Sequence, residues 1–216
     1  MIAKEFLFIL LAFCVSILFS NCEQNPKQLY KYSVRTTDSN KIEANTIISS
    51  ILLRLSQVNK SNYIQLLTKL NSAIDLDSTS YTAYYYKSKI YFKIGDTSGA
   101  LDNIDKAISL KGNEYLFLKV KGIIFDSNNF RDSADFYYRK ALSTLEIELK
   151  TDPSDQMLNL DRLLILCLLG KKEYAISELS KIKQTQFYNV QPNKEIYNQV
   201  IRFNRTEYLQ NYIIDD

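Results

Sequence analysis

Four pairs of carboxylates stand close together in this chain of 216 residues: Asp102/Asp105, Asp132/Asp135, Glu146/Glu148 and Asp152/Asp155. Two carboxyl groups held at different pKa values are enough for general acid–base work. The surroundings of these pairs point to a plainer role. The first two lie among Lys and Arg on amphipathic stretches and the last brackets a helix start, so solvated faces and helix caps account for them. The chain has no histidine, which removes Ser-His-Asp and Cys-His nucleophiles and every His-ligated metal centre. No Gly-rich phosphate loop, CxxC pair or EF-hand loop occurs either. The expectation is a protein that is not an enzyme and uses no cofactor and no metal. Lys+Arg 27 against Asp+Glu 24 leaves a net charge of +3, and the two signs are interleaved. Neither a nucleic-acid stripe nor a polybasic membrane patch forms.

The three cysteines differ in their settings. Cys14 lies in an apolar run, FLFILLAFCVSILF (residues 6–19), broken only by Ser16. The run is shorter than the ~20 residues that span a bilayer and has the length of an export-signal core. It ends Leu18-Phe19-Ser20-Asn21-Cys22, with no A-x-A site. A cysteine just past such a core resembles the lipobox of bacterial lipoproteins, with Phe19 and Asn21 in place of the usual smaller residues. The resemblance implies a signal peptide over residues 1–21 and lipidation at Cys22. The address would be the bacterial cell envelope, at the outer membrane or periplasmic face, with the membrane reached through the lipid anchor. A simple secreted signal, or an uncleaved short anchor or cytosolic form, stand beside it as other readings of the same segment. With Cys22 acylated, Cys167 remains alone and no intramolecular disulfide framework is expected. Cys167 sits in the apolar stretch LLILCLLG, where a thiol behaves as a small hydrophobe.

The elements that position these residues are helical. Gly 5 and Pro 3 are too few for a chain of tight β-turns. Residues 22–40 are polar and aperiodic, and read as a tether. Beyond them the chain repeats with an interval of 34 residues. Ala100 meets Ala134, Ala107 meets Ala141, Tyr91 meets Phe125, Ile104 meets Tyr138, Ser88 meets Gly122, and Gly95 meets Asn129. The physical reading is a pair of antiparallel helices per unit, over 82–93 and 97–110 in the first clear one, with Gly95 turning the chain. Small residues at 88/122 and 100/134 let the axes approach, and larger ones at 91/125 and 104/138 fill the space beside them. Asn129 is expected to cap the second helix of the next unit, with Asp132 in its first turn. A single unit cannot bury its apolar face, so units must stack.

This pattern resembles the tetratricopeptide repeat (TPR) family. In residues 81–114 it is carried by Tyr84, Tyr91, Ala100 and Ala107, with Ser88 in the Gly place and Gly112 in the Pro place. In residues 115–152 it is carried by Gly122, Phe125, Ala134, Tyr138 and Ala141, with a second helix extended by STLEIELKT. Lys87 and Lys121 occupy the Leu place. A third, TPR-like unit spans 153–187, with Asp152-Pro153 at the helix start, a first helix over 157–169, a turn at Gly170, and Ala175 opening the second helix. Residues 41–80 hold a degenerate repeat that keeps Ala73, and residues 188–216 supply C-terminal capping helices. The implied fold is all-α: a TPR-like solenoid of antiparallel helix pairs, about three to four repeats long.

The same resemblance implies a function. Members of the family commonly bind ligands on the concave face lined by the first helices. Carried over by position, that face holds Tyr85, Lys89 and Phe92, then Lys119, Ile123 and Asp126, as a candidate partner groove. Tyr84 is assigned to repeat packing. In the third unit Met157, Leu160, Leu164 and Cys167 are so apolar that cover by the capping helices is expected. The Lys/Asn clamp by which some members hold a partner's terminal carboxylate is absent, since its places hold Tyr85, Lys89, Val120, Met157 and Asp161. The expected function is a non-enzymatic, membrane-tethered scaffold for a protein or peptide partner. An envelope polysaccharide or glycan-binding module is the alternative.

Overall fold

Where each helix starts and stops follows from a few side chains. The computed structural model describes residues 39–55, 62–182 and 193–214. Residues 1–21, Cys22 and nearly all of the tether lie outside the described residues. Ten helices run through the rest: α1 (Ser39–Leu55), α2 (Tyr63–Leu76), α3 (Tyr81–Lys93), α4 (Thr97–Lys111), α5 (Tyr115–Ser127), α6 (Arg131–Thr151), α7 (Gln156–Leu168), α8 (Lys172–Ile182), α9 (Asn193–Ile201) and α10 (Arg205–Ile214). Among the described residues there is no strand.

Three of the first helices end in the same way. Gly95, Asn129 and Gly170 adopt left-handed backbone, with φ of 85°, 63° and 77°. The next residue then donates its backbone N–H back to a carbonyl five residues earlier: Asp96 to Tyr91, Phe130 to Phe125 and Lys171 to Leu166, each at 2.9 Å. This satisfies carbonyls that a helix end leaves open. The three stops lie 34 and then 41 residues apart, because α6 has 21 residues where α4 has 15 and the turn after it is one residue longer. The extension keeps the apolar face of α6 in line. Ala134, Tyr138, Ala141 and Leu145 are all buried at spacings of three and four.

Caps are less regular. Asp96 accepts from the Gly99 N–H at 2.8 Å and starts α4. The residue 34 positions on is Phe130, which caps α6 without a side-chain bond. Asn129 therefore serves as the left-handed stop and not as the expected cap; one residue cannot hold both conformations. The start of the third unit also shifts. The Asp152 carboxylate is engaged by the N–H and hydroxyl of Ser154, at 3.2 and 2.8 Å. Capping passes to Asp155, which accepts from the N–H groups of Met157 and Leu158 at 2.8 and 3.0 Å. Pro153 stays exposed in the turn rather than opening the helix or packing within the repeat.

Helices pack mainly on their neighbours in sequence, giving hairpins α1/α2, α3/α4, α5/α6 and α7/α8. Helix α9 lies on α7 and α8, and α10 lies across α3 and α5. Within the two clear hairpins the axes approach at equivalent points. The Ser88 hydroxyl donates to the Ala100 carbonyl at 2.7 Å. At Gly122 an added Cβ would lie 3.3 Å from the Ala134 carbonyl and 2.6 Å from two ring atoms of Tyr138. Where the large residue is Tyr138 the small one must be glycine, and where it is Ile104 a serine fits. Gly122→Ser should destabilise the chain by about 1–3 kcal/mol in urea unfolding. The same change should cost about 1 kcal/mol less in a Tyr138→Ile background. Equal costs in both backgrounds would refute this coupling.

Candidate partner-binding surface

Helices α3, α5 and α7 form one layer, joined first by rings. Tyr85 is fully buried, its ring centroid 5.3 Å from Phe117 of α5 and 5.0 Å from Tyr86. Tyr81 meets the same Phe117 at 6.0 Å. Burial pushes the Tyr85 hydroxyl well above the ordinary tyrosine range. The sequence expectation placed Tyr84 in the core and Tyr85 in the groove. The structure reverses them: Tyr84 is half-buried, and Tyr85 is the ring caught between successive first helices. With Tyr85 and Tyr86 buried, the run Tyr84-Tyr85-Tyr86 presents no flat stacking face.

Charges join the layer next. The Lys119 side chain is 1% exposed, and its Nζ lies 2.5 Å from Asp161 Oδ1 on α7. The Tyr115 hydroxyl donates to the other oxygen of Asp161 at 3.0 Å. Between α4 and α5, Lys121 Nζ pairs with Asp105 and sits 4.7 Å from the centre of the Tyr137 ring. The lysine in the repeat's Leu place is thus a bridge between units.

Asp126, at the end of α5, gathers the most partners. It accepts from the Tyr138 hydroxyl at 2.9 Å and from Arg131 Nη1 at 3.5 Å, and it pairs with Arg205 of α10. Both arginines also donate to the Leu168 carbonyl at the end of α7, Arg131 at 2.9 Å. Burial holds the Asp126 carboxyl above its usual range, against the pull of Tyr138 and Arg131. Two turns along α10, the Tyr212 ring lies 6.5 Å from Phe92 and 5.5 Å from Lys89 Nζ.

The six residues expected to line an open groove therefore do not face solvent freely. Tyr85, Phe92, Lys119, Ile123 and Asp126 are buried and Lys89 is half-buried. The cause is twofold: stacking of the first helices takes Tyr85 and Lys119, and α10 covers Phe92 and Asp126. In the third unit Leu160, Leu164 and Cys167 pack with Tyr197 and Val200 of α9. Burial raises the Cys167 thiol to about 11, so it stays protonated near neutral pH.

Five of the eight paired carboxylates are engaged by structure, while Asp102 and Asp132 are exposed. Asp105 holds Lys121, Asp135 holds Arg131 at 3.1 Å, Glu146 meets Arg162 at 3.5 Å, and Asp152 and Asp155 shape the start of α7. Glu148 differs. Burial, with Glu114 and Asp155 nearby, lifts its carboxyl to about 7. Among the described residues no group of three or more His, Cys, Asp or Glu is placed to hold a metal ion, and no helix is long and apolar enough to cross a membrane.

Sequence reasoning missed Arg205, Arg131 and Asp161. One signal was available for the arginines. Each opens a helix, where the macrodipole disfavours a cation, so each needs an anionic partner elsewhere.

Stacked hairpins with left-handed stops define a TPR-like α-solenoid. No family model matches the chain. The TPR repeat-containing protein MJ1428 of Methanocaldococcus jannaschii is 30% identical over 120 residues, 56% of this chain. This chain spans only about a fifth of that relative's length, 21%. Among solved structures, pilF of Pseudomonas aeruginosa superposes with a TM-score of 0.52 at 13% identity, covering 81% of this chain and 76% of that one. The TPR protein TTC0263 of Thermus thermophilus gives 0.51 at 17% identity, covering 81% and 88%. The fold is shared with these proteins.

Two consequences can be measured. Asp161→Ala leaves Lys119 buried without its carboxylate and should cost about 3–5 kcal/mol in chemical unfolding. Restored stability in the double variant with Lys119→Met would confirm that the stranded charge is the cause. For Glu148, a folded-state value of about 7, above the ordinary glutamate value of 4.5, means that the protonated carboxyl favours the folded chain. That contribution is whole below pH 4.5 and is lost as pH rises through about 7. Glu148→Gln should therefore gain stability relative to the parent chain across that window. A difference independent of pH would refute the assignment.

Proposed function

We propose that this chain is a non-enzymatic docking scaffold, lipid-anchored through Cys22 in a bacterial cell envelope, and that its first-helix layer receives a protein partner. Solenoids of this type bind proteins along an extended concave surface. One observation carries the reading here: the layer already seats a helix, α10, through an arginine–aspartate contact and a ring–ring contact. A surface that holds one helix by specific side chains has the chemistry to hold another. Of the carboxylates weighed for catalysis, Asp105, Asp135, Glu146, Asp152 and Asp155 are engaged in caps, turns and bridges, which supports a binding role. The tether and anchor rest on the apolar run at residues 6–19 and the cysteine that follows it.

In-cell crosslinking followed by affinity capture should retrieve a membrane-associated protein in stoichiometric amount. Capture of no protein above a scrambled-surface control would count against the scaffold. Cys22→Ala should move the chain from the membrane to the soluble fraction and abolish incorporation of labelled fatty acid. Unchanged fractionation and mass would remove the anchor from the reading while leaving the scaffold in place.

A further inference from the structure

Asp126 and Phe92 occupy the same repeat position, 34 residues apart, on the successive first helices α5 and α3. Each meets α10. Asp126 takes Arg205, and Phe92 takes the ring of Tyr212. Arg205 and Tyr212 are seven residues apart and share one face of α10. Seven residues of helix rise about 10.5 Å, close to the 8–10 Å between packed helix axes. A helix lying across the layer thus presents one contact to each repeat for every seven of its own residues. The end of α7 adds the Leu168 carbonyl, to which Arg205 also donates.

The hold on α10 combines a charge pair with ring contacts and is only partly buried. Arg205, Tyr208, Leu209 and Tyr212 are half-buried, and no described side chain of α10 reaches the core. Helix α9, by contrast, buries Tyr197 and Val200. Among the described side chains of α10, Tyr208 is the one that packs against the apolar cluster of α7, α8 and α9, at its edge. Lifting α10 away would uncover Phe92 and Asp126 without opening that cluster.

We propose that α10 is a displaceable internal ligand, and that the surface beneath it takes a partner helix carrying an arginine in its first turn and an aromatic ring seven residues later. The proposal rests on the scaffold reading above and names the class of partner. The arginine meets the Asp126 carboxylate and the Leu168 carbonyl; the ring meets Phe92 and the Lys89 ammonium. Partner and α10 compete for one site, so the partner's apparent affinity is lowered by the fraction of time the site stands open.

The test uses a fluorescein-labelled synthetic peptide of residues 203–214 and the full chain, read by fluorescence anisotropy. Arg205→Ala in the protein, by freeing the site, should tighten peptide binding about tenfold or more. The peptide carrying the same Arg205→Ala change should bind at least about tenfold more weakly. Asp126→Asn, which keeps an acceptor for the Tyr138 hydroxyl, should weaken the unaltered peptide when made in the Arg205→Ala chain, where α10 no longer competes for the same carboxylate. Hydrogen exchange on the parent chain gives an independent reading should the arginine variant misfold: α10 amides should exchange well before those of α5. Equal peptide affinity for parent and Arg205→Ala chains, or α10 amides as protected as those of α5, would overturn the proposal. So would a stoichiometric dimer of the parent chain that Arg205→Ala dissolves, because a second copy's α10 would then be the occupant. A captured partner with no peptide binding would remove this inference and spare the scaffold. Peptide binding without any captured partner would do the reverse.

Discussion

The close approach of two helix axes inside each hairpin is the constraint on which the rest depends. Ser88 beside Ala100, and Gly122 beside Ala134, bring backbone near backbone. That approach leaves Ala107 and Ala141 buried without bulk and puts the filling burden on Ile104 and Tyr138. Once the hairpins are set, their first helices stack, and Tyr85 is closed between α3 and α5. The tyrosine at 138 then brings its hydroxyl to Asp126. A packing choice in the second helix therefore fixes the orientation of the carboxylate that holds α10.

Helix ends and hairpin interiors were legible in the residues because both are set by local chemistry. The left-handed stops at Gly95, Asn129 and Gly170 need residues that tolerate positive φ, and few do. The extension of α6 showed as the stretch STLEIELKT after Ala141. What failed at this level was finer. Asn129 could be read as a stop or a cap, and Asp152 as a cap or a turn, because the same side chains serve each purpose. Only the neighbouring Phe130 and Asp155 decide between them, through where the helix begins.

The surface was harder to read, for a reason of geometry. Neighbouring helix positions differ by about 100°, so Tyr84 and Tyr85 cannot both face the same neighbour. Which one is buried depends on the rotation of α3 against α5. That rotation is set by Phe117, a residue 32 positions beyond Tyr85 and outside the 34-residue match. Buried charge was equally hidden. Lys119 and Asp161 look like two solvated residues until α5 and α7 lie side by side. A charge pair this deep contributes little to net stability against an apolar pair of similar size, but it penalises any register in which the two are parted.

The two helix-opening arginines extend this logic from register to assembly. Arg131 and Arg205 start α6 and α10, where the backbone's own field opposes a positive charge. Both find the orphan carbonyl at Leu168, where α7 ends and its field favours a cation, and both find Asp126. Arg131 is tied to its place by the hairpin that carries it; α10 is held across the layer through partly buried side chains. One anchor thus serves a permanent element and a peripheral one with the same group. Chemistry that cannot tell Arg131 from Arg205 also cannot tell Arg205 from an arginine on another chain, and the seven-residue step from the arginine that meets Asp126 to the ring that meets Phe92 then supplies the selectivity that a single charge lacks.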